Sequence, residues 1–531
     1  QTDPKKSEKQ TARVKELTDR KESFERQLAG QLPEFAKQLQ AGRRKHADLI
    51  ALLPAGMVVV DLLRYTYHEQ DPKVPGKKGE RETPSYVAFV LRRGQPVVRI
   101  ELGPAAPIDA AVAAWRGQLA PSGDAGIHPK PIAGALPPVH DKNPDAQLRQ
   151  LVWQPLEKVF PADTTTVALC PDEQLTAIPW SALPGRKAGT AVLEDYALAA
   201  IPNGQFLLEM LAAKPRPAGS HEKLLAVGGV NYDDPAQPAK AKPEQLAASG
   251  DRAPRRDAAV DEKQELKLTW PYLKGAQGEV ERIRTLAKVQ TTVPLAGAEA
   301  SEDRVLAELP TVRFAHFATH GFFSPPHIRS ALAADPKAAD RAGLMAFDAV
   351  RRVAVGRSPL VLSGLVLAGA NRPRKKNEWG VTIGNDGILT AEEIVGLDLS
   401  NLDLAVLSAC DTGLGSVAGG EGVFGLQRAF HLAGAKKVVA SLWKVDDQAT
   451  AALMGLFYEK LWKQNKPPIE ALREAQLAIY RNPDLIGKLA GQRGQSFSKT
   501  VDLVDAGRRA PDGKTSHPRF WAAWVLSGPG R

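Results

Sequence analysis

Short, almost continuous apolar runs alternate with amphipathic stretches along the second half of the chain. The runs at 223–230, 312–318, 360–367, 403–409 and 436–443 predict strands. The stretches at 278–289, 421–433, 448–464 and 468–481 have apolar residues at helical spacing and predict helices. Strands that are apolar throughout and alternate with helices are typical of a parallel sheet buried on both faces. The sequence therefore predicts an α/β fold, with a mainly parallel central sheet flanked by helices on both faces.

The first half of the chain has a different pattern. Residues 1–50 are charged and mostly helix-forming, and Pro33 separates two predicted helices. Residues 51–215 predict an N-terminal α/β half. Its first part has strands at 53–67 and 85–102, and the hairpin turn "RRGQ" interrupts the second of them. A helix at 106–120 follows, and then a strand at 164–170, after which the chain turns at Pro171 and returns to Pro179. Residues 216–531 form the C-terminal half, in which 231–262 is a polar, Pro-rich insertion expected to be mobile.

Composition and charge narrow the class of protein. The 531 residues are 43% hydrophobic and 24% charged, with no apolar run of about 18 residues and a polar N-terminus without a signal peptide, so we expect a soluble, cytoplasmic protein without membrane contact. The chain lacks an initiator Met, and we expect a fragment or a processed product. The net charge of +10 suggests nucleic acid, but Lys and Arg are spread along the chain without a zinc-finger or RNP motif. Nucleic acid is therefore not expected to be a direct partner.

Two apolar runs of the C-terminal half end in residues suited to catalysis. "RFAHFATHGFF" (313–323) ends in His320, and "LAVLSACDTG" (404–413) ends in Cys410. Ligands of open α/β sheets bind beyond the carboxyl ends of the strands, so neighbouring strands would bring both side chains to one edge. A histidine can act there as general base and then acid, and a cysteine is the nucleophile that needs least activation.

The residues around this pair support the same chemistry. Gly321 allows a tight turn, and its N–H together with that of Cys410 could stabilise an oxyanion. His316 is more typical of a packing histidine, and Cys170 of a small buried hydrophobe, since two cysteines exclude a disulfide framework. The remaining histidines form no metal-binding set, and "GRRAPDGKT" (507–515) has the wrong spacing for a phosphate-binding loop. We therefore predict neither a metal nor a cofactor.

At the level of motifs the chain resembles the CHAT domain, the bacterial caspase-like cysteine peptidase domain often attached to TPR repeats, and more distantly separase and caspases. The similar segments are "LTAIPWSALP" (175–184), "HFATHG" (316–321), "DGILTAEEI" (386–394), "VLSACDTG" (406–413), "GGEGVFGLQRAFHLAGAKKVVASLWKVDD" (419–447) and "HPRFWAAWVLSG" (517–528). The resemblance covers 52–528 and implies a caspase-hemoglobinase fold, whose N-terminal half is an inactive caspase-like unit.

The resemblance also implies an activity. It predicts a cysteine endopeptidase that cleaves specific protein substrates through a thioester, with Cys410 and His320 as a dyad. An activating protein partner or sensor domain is expected, because residues 1–50 are too short for the TPR repeats of relatives. One or both of the polar loops at 231–262 and 324–345 are expected to be disordered or to reposition when the enzyme is activated. The alternative is a catalytically silent scaffold that uses the same fold for protein binding.

A candidate specificity pocket follows from "SLWKVDD". The stretch is similar to the separase segment in which a tryptophan precedes an acidic residue of the pocket for a basic P1 side chain; here these are Trp443 and Asp447, with Asp446 as second choice. Asp411 and Glu421 are further candidates. Alternatively, the two aspartates cap the helix predicted to begin near Gln448, a position that suits Asp equally well.

Overall fold

The structure is a computed structural model that describes most of the chain. It describes residues 45–74, 76–119, 143–213, 222–233, 269–323, 363–372, 385–408, 421–443, 445–490 and 513–530, and five helical residues between 16 and 24, with only the backbone of 322–323, 421–424 and 490. The loop predicted at 324–345, and 231–262 beyond residue 233, lie outside these ranges.

Fourteen strands are present in the described residues, and the first thirteen span the chain from residue 57 to 441. The strands are β1 Met57–Gln70, β2 Glu80–Arg92, β3 Val98–Pro104, β4 Thr166–Cys170, β5 Ala197–Ala200, β6 Lys223–Val230, β7 Thr291–Gly297, β8 Phe314–Ala318, β9 Gly321–Phe323, β10 Ser363–Val366, β11 Ile388–Thr390, β12 Leu404–Leu407, β13 Val438–Ser441 and β14 Trp524–Ser527.

Described α-helices stand between most of these strands along the chain. They are α1 His46–Leu52, α2 Ala105–Leu119, α3 Pro144–Leu148, α4 Gln154–Glu157, α5 Val192–Asp195, α6 Gly204–Ala212, α7 Ala276–Leu286, α8 Glu302–Glu308, α9 Ala391–Val395, α10 Glu421–Leu432, α11 Asp447–Tyr458, α12 Pro468–Arg481 and α13 Leu485–Ala490. None of the helices in the described ranges is long and apolar enough to cross a membrane.

Eleven strands form one continuous sheet, in the order β3-β2-β1-β4-β5-β14-β13-β12-β8-β6-β7. Pairing is antiparallel at β3-β2, β2-β1 and β14-β13, and parallel at the other seven junctions. The remaining strands make a small antiparallel sheet, β11-β10-β9, which starts where β8 ends. The prediction of a mainly parallel central sheet is therefore confirmed.

Side chains of the central strands are buried alternately on the two faces. On β8, Ala315 and Phe317 belong to a core that also contains Ile394 and Phe430 of α9 and α10. Ala318, on the opposite face, belongs to the core packed by α7 and α11. Because both faces are covered, polar side chains can reach solvent only at the strand ends. The predicted helical layers on both faces are confirmed.

The two predicted halves share this sheet. The last strand, β14, pairs with β13 on one side and with β5 on the other, through Ser527 and Ala200. The Gly528 N–H also donates to the Ala200 carbonyl at 2.8 Å. The boundary predicted near residue 215 falls between the described residues 213 and 222 and stays a prediction.

Several short elements differ from the sequence-based expectation. The predicted return of the chain to Pro179 is a 3-10 helix, Glu173–Ala177, rather than an extended segment. The strands β5, β7, β9, β11 and β14 were not predicted. Four of these have only three or four residues, and β7, which includes a proline, has only one buried residue, so their apolar pattern is too short or too weak to identify them.

We predict that Gly528→Ala strongly destabilises the fold. Gly528 has φ +119°, and an added Cβ would lie 2.4 Å from the Lys436 carbonyl oxygen. The strained backbone and the clash should together cost at least about 3 kcal/mol of unfolding free energy. Gly94 is the matched control, because its φ is +67° but no atom lies within 4 Å of an added Cβ. Gly94→Ala should cost only about 1–2 kcal/mol in the same denaturant titration. Equal losses for the two variants would contradict the prediction.

Candidate active site

The two strands that precede the predicted catalytic residues are neighbours. β8 and β12 pair in parallel, with Val406 opposite His316 and Leu407 opposite Phe317. Their carboxyl ends therefore lie at the same edge of the sheet, where His320 follows β8 and Ser408 follows β12. The condition under which His320 and Cys410 could meet at one edge of the sheet is therefore fulfilled.

The His320 imidazole is held in one orientation inside the protein. The residue is 2% exposed, and its Nε2–H donates to the Pro271 carbonyl oxygen at 2.7 Å. A neutral imidazole has one N–H and one acceptor nitrogen, so this bond leaves Nδ1 as the basic nitrogen. The rings of Tyr232 and Trp270 both pack against the imidazole, with centroid distances of 5.2 and 5.4 Å. Rotation of the ring is therefore restricted.

The main chain at His320 is also held in place. The Val366 N–H donates to the His320 carbonyl at 2.8 Å. The preceding residue, Thr319, hydrogen-bonds through its hydroxyl to the Val366 carbonyl and to the Tyr232 hydroxyl, the latter at 2.9 Å. Burial raises the pKa of Tyr232 to about 12, so this hydroxyl stays neutral at physiological pH. The end of β8 is consequently fixed by contacts with residues distant in the sequence.

A cleft opens beside His320 at this edge of the sheet. Its walls come from α7 and α11, and its floor from the ends of β8, β12 and β13. The lining residues are Leu273, Gly275, Ala276, Glu279, Ala318, Thr319, His320, Ser408, Ser441, Val445, Asp447, Thr450 and Trp524. Asp447 is exposed, and its carboxylate lies beside the Gly275 backbone, since a Cβ there would be 3.5 Å from Oδ2. The cleft thus brings a histidine and an acidic side chain together.

The two adjacent aspartates have different positions. Asp446 is the N-cap of α11, and its carboxylate accepts hydrogen bonds from the Gln448 and Ala449 N–H groups at 3.0 and 3.1 Å. Asp447 is the first residue of the helix and lines the cleft. The capping interpretation thus describes Asp446, whereas the P1 pocket around Asp447 stays a prediction.

Trp443 lies outside the cleft lining. It is buried, its indole N–H donates to the Arg519 carbonyl at 3.1 Å, and Arg116 of α2 lies over its ring at 5.1 Å. The Arg116 guanidinium also donates a hydrogen bond to the Leu442 carbonyl at 2.9 Å, which connects α2 to the end of β13. Burial lowers the pKa of Arg116 to about 10. Trp443 therefore packs the region behind the cleft.

The other predicted site residues are only partly described. Cys410 and Asp411 lie outside the described residues, as does the side chain of Glu421 at the start of α10. Gly321 is buried and pairs with Leu365 at the start of β9, directly beyond His320. Its role in an oxyanion site stays a prediction.

His316 is a packing histidine, as its position on the strand suggests. It is fully buried, with Nδ1 3.0 Å from the Tyr458 hydroxyl and Nε2 3.1 Å from Glu279 Oε1. Burial keeps the pKa of Tyr458 well above its usual value. Glu279 also lines the cleft, so this buried cluster forms part of its wall.

The other cysteine has the properties of an unreactive thiol. Cys170 is half-buried at the end of β4, with Sγ 3.4 Å from the Pro202 carbonyl. Burial, followed by the nearby Asp61 charge, raises its thiol pKa far above the usual value. Among the described residues no group of three or more His, Cys, Asp or Glu side chains could hold a metal ion.

Five residues around His320 were not identified from the sequence: Tyr232, Trp270, Pro271, Glu279 and Asn371. All of them except Glu279 stand close to the end of a described range, and none belongs to a periodic apolar pattern. The segment "TWPY" contains the available signal, since two aromatic residues stand there at the end of a polar, Pro-rich stretch.

Comparison with known proteins places these features in a family. The model of the CHAT domain matches residues 142–529. No curated protein matches the sequence. Two crystal structures of the Saccharomyces cerevisiae separase–securin complex are similar, each at 9% identity and a TM-score of 0.39, over 91% and 94% of this chain. The chain spans only 30% and 31% of the matched chains. Gingipain R, an Arg-specific cysteine proteinase, is similar at 8% identity and a TM-score of 0.31, over 73% of this chain and 68% of its own.

We predict that the N-cap of α11 can be removed without loss of the fold. Asp446→Ala should lower the unfolding free energy by about 1 kcal/mol, because two N–H groups of the helix lose their acceptor. Asp446→Asn should retain most of the stability, since the amide oxygen can still accept these bonds. Chemical denaturation of the two variants tests this, and an equal loss for both would show that charge rather than capping matters.

Proposed function

The chain belongs to the CHAT-domain family, and on this basis we propose that it is a cysteine endopeptidase in which Cys410 is the nucleophile and His320 the general base. The observation that supports this most directly is the geometry of His320. The imidazole lies at the carboxyl end of β8, and its Nε2–H donates to the Pro271 carbonyl. His320 lines the cleft together with Ser408, the residue that follows β12.

The register of the sheet supports the pairing of His320 with Cys410. Every described pair between β12 and β8 has the same offset of 90 residues, as in Leu404 and Phe314 (404 minus 314). The same offset separates Cys410 from His320. This shared offset supports the proposed dyad.

The proposed reaction proceeds in two steps. Nδ1 of His320 removes the Cys410 proton, and the thiolate attacks the scissile carbonyl carbon to form a tetrahedral oxyanion. This intermediate expels the amine, which takes its proton from the imidazolium, and leaves an acyl thioester on Cys410. Water, deprotonated by the imidazole, then hydrolyses the thioester and regenerates the thiol. The Gly321 and Cys410 N–H groups are the proposed donors to the oxyanion.

We expect a P1 side chain with a positive charge. Asp447 lines the same cleft as His320 and is not the helix cap, so it can pair with Arg or Lys when a peptide covers it. The expected macromolecular partners are a protein substrate and an activating protein. A catalytically silent scaffold would show neither thiol reactivity nor cleavage.

We predict that Cys410→Ala and His320→Ala each reduce cleavage at least about 1,000-fold, because the two residues act as one unit. The double variant should be no worse than either single variant. Profiling against a peptide library and labelling with a peptide that carries a thiol-reactive group provide the measurements. Cys170→Ala is the control and should leave rate and labelling unchanged. Undiminished cleavage by Cys410→Ala would refute the proposed nucleophile, and absence of cleavage and labelling in the wild type would favour the scaffold.

We predict that Asp447→Asn lowers kcat/KM for peptides with Arg or Lys at P1 by about 10- to 100-fold, since a charge-assisted contact contributes about 1.5–3 kcal/mol. Stability should change by less than about 0.5 kcal/mol, because the residue is exposed. Asp446→Asn is the matched control and should keep the P1 preference. A wild-type preference for apolar or acidic P1 residues, or an unchanged preference in Asp447→Asn, would disprove the pocket.

A further inference from the structure

Residues 366–371 contact both His320 and the aromatic residues beside it. At one end, the Val366 N–H holds the His320 carbonyl at 2.8 Å. At the other end, Asn371 contacts the main chain of both aromatic residues that flank the imidazole. Its own N–H donates to the Tyr232 carbonyl at 2.9 Å. One short segment therefore holds both the backbone and the ring environment of His320.

The Asn371 side chain makes a two-point contact with Trp270. Its Oδ1 accepts from the Trp270 N–H at 2.7 Å, and its Nδ2 donates to the Trp270 carbonyl at 3.0 Å. Nδ2 also donates to Asp233 Oδ1 at 2.9 Å. Because a backbone N–H only donates and a carbonyl only accepts, this network allows a single orientation of the amide. The amide thus gives the Trp270 main chain one acceptor and one donor, as the backbone of a paired strand residue would.

Trp270 is followed directly by Pro271, whose carbonyl accepts the His320 Nε2–H. Proline has no N–H of its own with which to hold this segment in place. The position of the Pro271 carbonyl therefore depends on how the preceding residue, Trp270, is held. The Asn371 side chain holds the Trp270 main chain through two hydrogen bonds.

We propose that Asn371 is a positioning residue, which holds the Trp270 peptide so that the Pro271 carbonyl selects the Nε2–H tautomer of His320. The inference builds on the proposed peptidase, in which Nδ1 must be the basic nitrogen. Neither Asp nor Leu can replace this amide. Asp lacks the donor for the Trp270 carbonyl and would place a second negative charge beside Asp233, and Leu lacks both polar atoms.

The experiment separates this role from catalysis by observing the tautomer directly. The full chain is labelled with [15N]histidine, and the His320 signals are assigned from their loss in His320→Gln. Long-range 1H–15N correlation spectra then show which ring nitrogen carries the proton. The variants are Asn371→Asp and Asn371→Ala. The control is Asn385→Asp, because Asn385 also stands at the edge of a described range and accepts a hydrogen bond from the Gly387 N–H at 3.0 Å. The rate of Cys410 alkylation by iodoacetamide is measured in parallel by peptide mass spectrometry.

Wild type and Asn385→Asp should show the Nε2–H form. Asn371→Asp should show a mixture of both tautomers and a Cys410 alkylation rate lower by on the order of 10- to 100-fold, the loss expected from a small misplacement of a catalytic group. If Asn371→Ala fails to fold, the less disruptive Asn371→Asp decides. An unchanged tautomer in a folded Asn371→Asp variant would overturn the inference, even if alkylation slowed. Equal Cys410 alkylation in wild type and His320→Ala would instead refute the proposed dyad, while the tautomer would still test the role of Asn371.

Discussion

The parallel pairing of β8 with β12 is the constraint on which the candidate site depends. Parallel strands end at the same edge of a sheet, and both strands here are buried on both faces by helices. A polar side chain within either strand would be buried in a core, so chemistry is possible only where the strands end. His316 shows the consequence, because four residues before His320 the same side chain is enclosed by Tyr458 and Glu279 and serves packing.

The acceptor for His320 is a main-chain carbonyl, and this choice affects its chemistry. A carboxylate at that position would add a full negative charge beside the ring and favour the imidazolium more strongly. The Pro271 carbonyl selects the tautomer and can accept from either the neutral or the protonated ring, without adding a full negative charge. In the proposed reaction, the thiolate formed in the same step would stabilise the imidazolium. Because His320 is only 2% exposed, water screens this attraction weakly.

The parts of the fold that depend on local pattern could be predicted from the sequence, and the parts that depend on distant contacts could not. The strand β6 and the helix α12 have the predicted bounds, and β8, β12 and β13 differ only at their ends, because each is a continuous apolar or amphipathic run. The neighbours of His320 were missed, since Trp270 and Asn371 are joined by two hydrogen bonds across 101 residues of sequence. No periodicity encodes such a pairing.

The acidic side chains of the cleft illustrate the same limit, and burial assigns them different roles. Glu279 is 7% exposed and lies 3.1 Å from His316, so its removal would leave a buried histidine without that neighbour, and its effect on substrate could not be separated from its effect on stability. Asp447 is exposed, and its charge is screened by water in the free protein. The attraction between Asp447 and a basic P1 side chain would strengthen only when a bound peptide displaces that water. Selectivity at this position would therefore arise during binding, from one carboxylate whose neighbour, Asp446, already satisfies the helix end.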